Sequence, residues 1–162
     1  MKASKSVNKI LFLDIDGVLC VYPGSHYNFR VNPNNNVSEF ACKNLKAILD
    51  ATGAKIVVSS SWRLFPEYLS DLIRQLGEHG IKRDLIVGIT EDLSQTPGIE
   101  NHRHLRWTEI SSYIQKNNTA KYVILDDFNL DEYTDKNFIK TQMHTGLTEE
   151  LSEKAIRLLD RD

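Results

Sequence analysis

Residues 10–13, Ile-Leu-Phe-Leu, form an unbroken apolar run that stops abruptly at Asp14-Ile15-Asp16-Gly17, and no other feature restricts the fold so strongly. A strand with one wet face would alternate, so a continuous run reads as a strand buried on both faces of a parallel sheet. Parallel neighbours need crossover connections, usually helical, which the remaining chain must supply. In open α/β sheets ligands collect beyond the carboxyl ends of the strands, the place where Asp14 and Asp16 leave the core. Residues two apart in extended chain share a face. Two carboxylates held close repel, and each keeps a proton near neutral pH unless a cation or donor compensates. A hard cation such as Mg²⁺ suits an all-oxygen set of this kind, and Gly17 lets the chain turn away without a side chain in the site. A calcium loop of the EF-hand type would need Glu at its twelfth position; counting from Asp14, Ser25 stands there.

The rest of the chain repeats strand and helix signals in alternation. Residues 37–50 place Phe40, Ala41, Leu45, Ile48 and Leu49 at helical spacing, with Ser38 as cap and Gly53 as stop. Residues 55–58 form a second apolar run that ends in Ser59-Ser60-Ser61-Trp62-Arg63, and a helix is expected from Glu67 to Gly77 with Pro66 in its first turn. Residues 85–89 read as a third strand, 105–115 as a helix turning Leu105, Ile110, Tyr113 and Ile114 inward, and 122–125 as a fourth strand ending in Asp126-Asp127. A fifth strand over 138–141 and a helix over 148–159 complete an α/β pattern with a doubly wound parallel sheet. Between the first strand and the first helix, Pro23-Gly24 and an Asn-rich stretch mark turns, with Tyr22, Tyr27 and Phe29 suited to a small hairpin flap. Tyr27 and Arg30 on it are minor substrate-contact candidates. Residues 1–8 read as a loose terminus, and 9–162 as a single domain.

Composition narrows the function classes. With 41% hydrophobic and 26% charged residues and a net charge of −2, the chain advertises no surface for a long polyanion. No apolar run approaches the roughly 18 residues of a membrane span, and the first residues lack the apolar core of a signal peptide, so the expected location is cytoplasmic with no membrane partner. Cys20 and Cys42 stand in no metal-binding spacing and read as reduced, buried thiols. No obligate protein partner is evident.

Three predicted strands thus end in polar groups: Asp14 and Asp16, Ser59 and Ser60, Asp126 and Asp127. Each alone is ordinary turn or cap chemistry. Together they describe one rim with Mg²⁺ between carboxylates. The ordered pattern, apolar strand then Asp-x-Asp-Gly-Val-Leu, strand then Ser, a cation, and strand then Asp-Asp, resembles the haloacid-dehalogenase (HAD) superfamily of phosphohydrolases. Its fold is a three-layer, Rossmann-like parallel sheet. Ser-Ser-Ser-Trp-Arg at 59–63, Arg106-x-x-Glu109-Ile110 and Gly146-Leu147-Thr148 are similar to the capless HAD domains of Swiss-army-knife RNA repair proteins. Neither interval between motifs has room for a large cap, so the site should be open.

The resemblance implies roles. Asp14 would be the nucleophile that takes the phosphoryl group as an aspartyl phosphate. Asp16 would protonate the leaving oxygen and later activate water. Ser59 would donate to a phosphoryl oxygen, and Mg²⁺ would be held by Asp14, Asp127 and the backbone carbonyl of Asp16, with Asp126 assisting. The third-motif cation is Arg103 or Arg106, with Arg106 at the family's spacing. His102 and His104 nearby read as solvated. Gly17, Ser60, Trp62 and Arg63 are the substrate-binding candidates: an aromatic and a guanidinium could stack a base and grip a neighbouring phosphate, or serve the core and a surface ion pair. The expected activity is Mg²⁺-dependent phosphomonoester hydrolysis, on a nucleotide or an RNA or DNA end. The alternatives are a phosphoprotein phosphatase and a non-catalytic receiver-like phosphoacceptor; the latter needs no acid at the position of Asp16.

Overall fold

The structure is a computed structural model that describes residues 8–23, 34–99, 102–128 and 136–161, with the side chains of residues 102–104 outside that description. The flap candidates Tyr27, Phe29 and Arg30, the loose terminus through residue 7, and the side chains of Arg103, His102 and His104 therefore lie outside the described residues.

Five strands, β1 (Lys9–Leu13), β2 (Lys55–Val58), β3 (Ile86–Ile89), β4 (Lys121–Asp126) and β5 (Phe138–Lys140), pair in parallel in the order β3-β2-β1-β4-β5. The helices are α1 (Glu39–Thr52), α2 (Pro66–Glu78), α3 (His102–Lys116) and α4 (Glu149–Asp160). The continuous apolar run explains β1: Leu11, Phe12 and Leu13 are wholly buried because both faces are covered. On one face Leu11, Leu13, Val58, Val123 and Leu125 join Leu45 and Ile48 of α1, Leu72 and Leu76 of α2, and Ala155 and Leu159 of α4. On the other, Ile10, Phe12, Val57 and Ile124 meet Ile110 of α3, and the Phe12 ring stands edge-on to Tyr113 at 5.5 Å. The fold is thus the three-layer α/β arrangement expected. Among the described residues no second domain covers the carboxyl edge, and no helix is long and apolar enough to cross a membrane.

Local signals set the boundaries. Ser38 caps α1 by accepting from the Ala41 N–H, and Gly53 closes it in the left-handed region. Thr148 caps α4 by accepting from the Leu151 N–H at 3.3 Å. Two expectations are corrected. Phe40 does not face the core: it is 53% exposed in the first turn of α1, one position off the buried stripe of Ala41, Leu45 and Ile48. β3 is an edge strand with Val87 and Ile89 exposed, because only β2 pairs with it. Leu85 falls before it in a short 3₁₀ turn, Arg83–Leu85.

The parallel ladder continues past the strand ends and fixes the heights of the residues that follow. The backbone N–H groups of Asp14, Ser59, Thr90 and Thr141 donate to the carbonyls of Leu125, Leu13, Val58 and Asp126, each at 3.0 Å. The loop after β1 is pinned in turn. Ile15's carbonyl accepts from Leu19 and Cys20, each at 2.9 Å, and Ser38 and Tyr22 donate to Leu19 and Met143.

Gly146 and Leu147 clamp this loop from the far end of the chain. Leu147 N–H donates to the Val18 carbonyl at 2.8 Å, and the Asn44 side chain donates to the Leu147 carbonyl at 2.9 Å. Gly146 has φ of 63°, and a Cβ there would lie 2.6 Å from the Val18 carbonyl oxygen. Gly146→Ala is therefore expected to cost more than the roughly 1–2 kcal/mol of a left-handed alanine alone, read as a lowered urea midpoint with unchanged slope. A cost below 1 kcal/mol would show that the loop yields freely.

Candidate active site

The strand order places β1 beside β4, with crossovers leaving to opposite sides, and their carboxyl ends form the crevice where open α/β sheets bind ligands. Asp14 leaves β1 there, and Asp126 and Asp127 end β4. Leu13 and Leu125 face the α1 side, so the next residues, Asp14 and Asp126, turn toward α3. Carboxylate oxygens of Asp14, Asp126 and Asp127 lie within 4.8 Å of one another, near enough to share one metal ion.

Arg106, in the early part of α3, reaches the same point. Its Nη1 lies 2.7 Å from Asp126 Oδ2 and 3.2 Å from Asp14 Oδ1. Burial raises the Asp14 pKa, Asp126 raises it further, and Arg106 pulls it back. Asp126 is raised by burial against the pull of Arg106. Asp127 is pushed up to about 6 by burial and by Asp14. Burial works against the Arg106 charge, but Asp14 and Asp126 outweigh it and hold the guanidinium protonated. When all three are ionised, three carboxylates against one guanidinium leave an excess of two negative charges, with Asp14 and Asp126 buried and Asp127 half-buried. A divalent cation matches that excess, and oxygen-only donors suit a hard one.

Gly17 makes room for this cluster. Its φ is 74°, and a Cβ there would fall on the Asp127 carboxyl group. The structure places Gly17, a substrate-binding candidate, with its N–H taken by the Cys20 carbonyl at 2.8 Å and its carbonyl accepting from Thr141 Oγ1 at 2.7 Å. Its contribution is the close approach of β1's loop to β4.

Asp16 stands apart from the three-acid group. Its Oδ1 accepts from the Tyr22 hydroxyl at 2.7 Å and its Oδ2 from Trp62 Nε1 at 3.0 Å. The carboxylate plane is thereby fixed from both ends. The Asp16 carboxylate is not among the oxygens that converge in the three-acid group, which leaves its backbone carbonyl as the metal contact expected of it. Trp62 is 4% exposed and packs on Tyr68 with centroids 5.6 Å apart, so it orients Asp16 rather than offering a face to a base.

The two serines divide. Ser60 hydrogen-bonds Asp14 and accepts from the Trp62 N–H at 3.3 Å. The Ser59 hydroxyl is fully buried and has no hydrogen-bond partner, although its position after Val58 turns it to the α3 side with Asp14. An orphaned buried hydroxyl at the rim of a site is what a bound oxygen would satisfy.

Arg63, expected either to grip a phosphate or to pair with a surface acid, pairs with a buried one. Its Nε donates to the Thr90 carbonyl, Nη1 to the carbonyls of Ser59 and Ser60, and Nη2 to Glu109 Oε2 at 2.6 Å and the Glu91 carbonyl at 3.4 Å. A guanidinium has five N–H donors, and these acceptors use all of them. Burial lowers the Arg63 pKa and raises that of Glu109, against their mutual attraction. The hydrogen bonds, including one from Leu93 N–H to Glu109 Oε1 at 3.1 Å, oppose that effect of burial. Glu109 lies one helical turn from Arg106, so the Arg-x-x-Glu spacing serves the acid cluster and the Arg63 lock from one face of α3.

Residue-by-residue reading of the sequence missed Tyr22, Thr141 and Thr90. The rule that found Asp14, Ser59 and Asp126, a polar residue directly after an apolar strand, would also have marked Thr90 and Thr141. Tyr22 carries no such signal.

A Rossmann-like sheet with acids after β1 and β4, hydroxyls after β2 and a guanidinium on the helix before β4 defines a HAD-like protein. Residues 10–151 match the family described as the HAD domain in Swiss Army Knife RNA repair proteins, and the chain belongs to that family. No curated protein and no solved structure matches it.

Removing one partner of the buried pair should be costly. Glu109→Ala and Arg63→Ala are each expected to lose about 3–5 kcal/mol of unfolding free energy, because each strands a charge whose side chain is 4% exposed or less. Denaturant titration of both variants measures this, and losses under 1 kcal/mol would mean that water reaches the pair.

Proposed function

We propose that the chain is a divalent-cation-dependent phosphomonoester hydrolase working through an aspartyl phosphate on Asp14, with a nucleotide or nucleic-acid terminus as substrate. The observation that carries this reading is the charge balance at the rim: Asp14, Asp126 and Asp127 against Arg106. The cation, Mg²⁺ by this reading, would be held by Asp14 and Asp127 with Asp126 assisting, and when bound would offset the repulsion between the nucleophile and the incoming phosphate.

The chain's own groups then divide the work. Asp14 attacks phosphorus while the ester P–O bond breaks, and Asp16 gives its proton to the departing oxygen. Asp16, now ionised, takes a proton from the water that attacks the phosphoryl group, and inorganic phosphate leaves with Asp14 regenerated. Tyr22 and Trp62 hold the Asp16 carboxyl plane, and one lone pair on each oxygen stays free for this transfer. The Ser59 hydroxyl and Arg106 supply donors to phosphoryl oxygens. A substrate terminus, rather than a long duplex, agrees with the net charge of −2, and the RNA repair context of the family favours a nucleic-acid end.

Asp14→Asn keeps the shape and removes the nucleophile. Turnover of nucleotides and phosphorylated oligonucleotides should fall to background in a protein whose circular dichroism is unchanged. Wild-type rates from that variant would refute the mechanism.

The acid cluster also sets a pH dependence. The folded-state pKa of Asp127 is raised from 3.8 to about 6, so between those values the folded chain binds more protons than the unfolded one. The metal-free fold therefore loses stability as pH rises through that window. A cation that needs ionised carboxylates should raise Tm more at pH 7.5 than at pH 5, measured by thermal scans with Mg²⁺ and with chelator. Equal shifts at both pH values, or full activity in excess chelator, would remove the metal from the mechanism.

A further inference from the structure

Of the cavities that the mechanism above leaves unused, one adjoins the acid cluster. It has a volume of about 250 Å³ and lies between the 3₁₀ turn Ser61–Leu64, the loop after β3, the start of α3 and the residue after Asp127. Leu64, Leu105 and Phe128 form its apolar wall, while Ser61, Asp92 and Ser94 supply its polar side. Arg106 stands at its edge and at the same time touches Asp14 and Asp126. A group esterified to a phosphate at Asp14 thus has this cavity as a neighbour.

Size and charge restrict the occupant. Drug-sized ligands fill pockets of about 300–1,000 Å³, so this one suits a single ring system rather than a peptide segment or a helix. Besides Arg106 its only guanidinium is Arg63, whose five donors are all bound to the protein, and Glu109 is held by Arg63 and the Leu93 N–H. Asp92 adds a negative charge, its carboxyl kept below the usual range by hydrogen bonds from Ser94. A second phosphate would meet an acid there, with Arg106 the only cation lining the cavity, among the described residues, that is not fully engaged by the protein. A planar ring with N–H donors would instead place its face on Phe128 between Leu64 and Leu105 and its donors toward Asp92 and the two serines.

We infer that this cavity is a nucleobase subsite, taking the base of the nucleoside that carries the scissile phosphate. The inference rests on the phosphomonoesterase reading and names its substrate class. A phosphotyrosine ring is the competing aromatic occupant, but it has no N–H donor for Asp92.

The test compares equilibrium binding and turnover for AMP and CMP, for ribose 5-phosphate as the same phosphate without a base, and for phosphotyrosine. Calorimetry gives the affinities for wild-type protein and for Leu64→Glu and Leu105→Ala; Leu64→Glu alters a half-exposed side chain outside the core and should fold. The nucleotides should bind at least tenfold tighter than ribose 5-phosphate. Both variants should erase most of that margin while changing ribose 5-phosphate binding and turnover less than twofold. Equal affinities for nucleotide and ribose 5-phosphate would overturn the subsite, as would a margin that survives both variants or tighter binding of phosphotyrosine. A variant-sensitive margin in a protein that hydrolyses neither these esters nor a phosphorylated oligonucleotide would uphold the subsite and refute the hydrolase. Hydrolysis without a margin would do the reverse.

Discussion

Two buried carboxylates paired with one guanidinium, and a half-buried third beside them, are the constraint to which the rest of the molecule answers. Charges out of water are expensive unless paired, and Arg106 balances only part of what Asp14, Asp126 and Asp127 bring to the carboxyl edge. Each neighbouring element limits that cost or holds the geometry against it. The ladder bonds of Asp14 and Thr141 to β4 lock strand heights, and α3 delivers Arg106. The residual repulsion is what a cation at this edge would relieve.

The loop after β1 converts that electrostatic problem into a shaped site. Gly17 removes the Cβ that would occupy the place of Asp127, and Thr141 fastens the Gly17 carbonyl from the β5 side. The same loop carries Tyr22 back to Asp16, where Trp62 meets it from the opposite oxygen. The clamp from Gly146 and Leu147 ties this loop to the start of α4, so residues more than 120 positions apart act on one turn. Arg63 and Glu109 do the corresponding work on the other flank, joining the loops after β2 and β3 to α3.

Much of this was legible in the sequence because its cause is local. A strand buried on both faces must be apolar throughout, and the polar residues that end such strands are visible as abrupt changes, which is why Asp14, Ser59 and Asp126 could be picked out together as one rim. The helix cap at Ser38 and the stop at Gly53 follow from backbone groups that any helix leaves unpaired. The Arg106 spacing relative to Ile110 works for a similar reason, since one residue of the turn must face the sheet while the other reaches its edge.

The assignments that changed are those in which a side chain's partner lies far away in sequence. Trp62 and Arg63 have the chemistry to bind a nucleic acid, and nothing nearby shows that Asp16 and Glu109, each 46 positions away, have already engaged them. Phe40 has the hydrophobicity of a core residue, and only the packing of α1 leaves it outside. By itself the sequence determined the sheet, the order of its motifs and the acids at its rim, because hydrophobic burial and backbone hydrogen bonding act over a few residues. Tertiary structure alone decided which donors remain free to meet a ligand, because that depends on every group folding brings within hydrogen-bond reach.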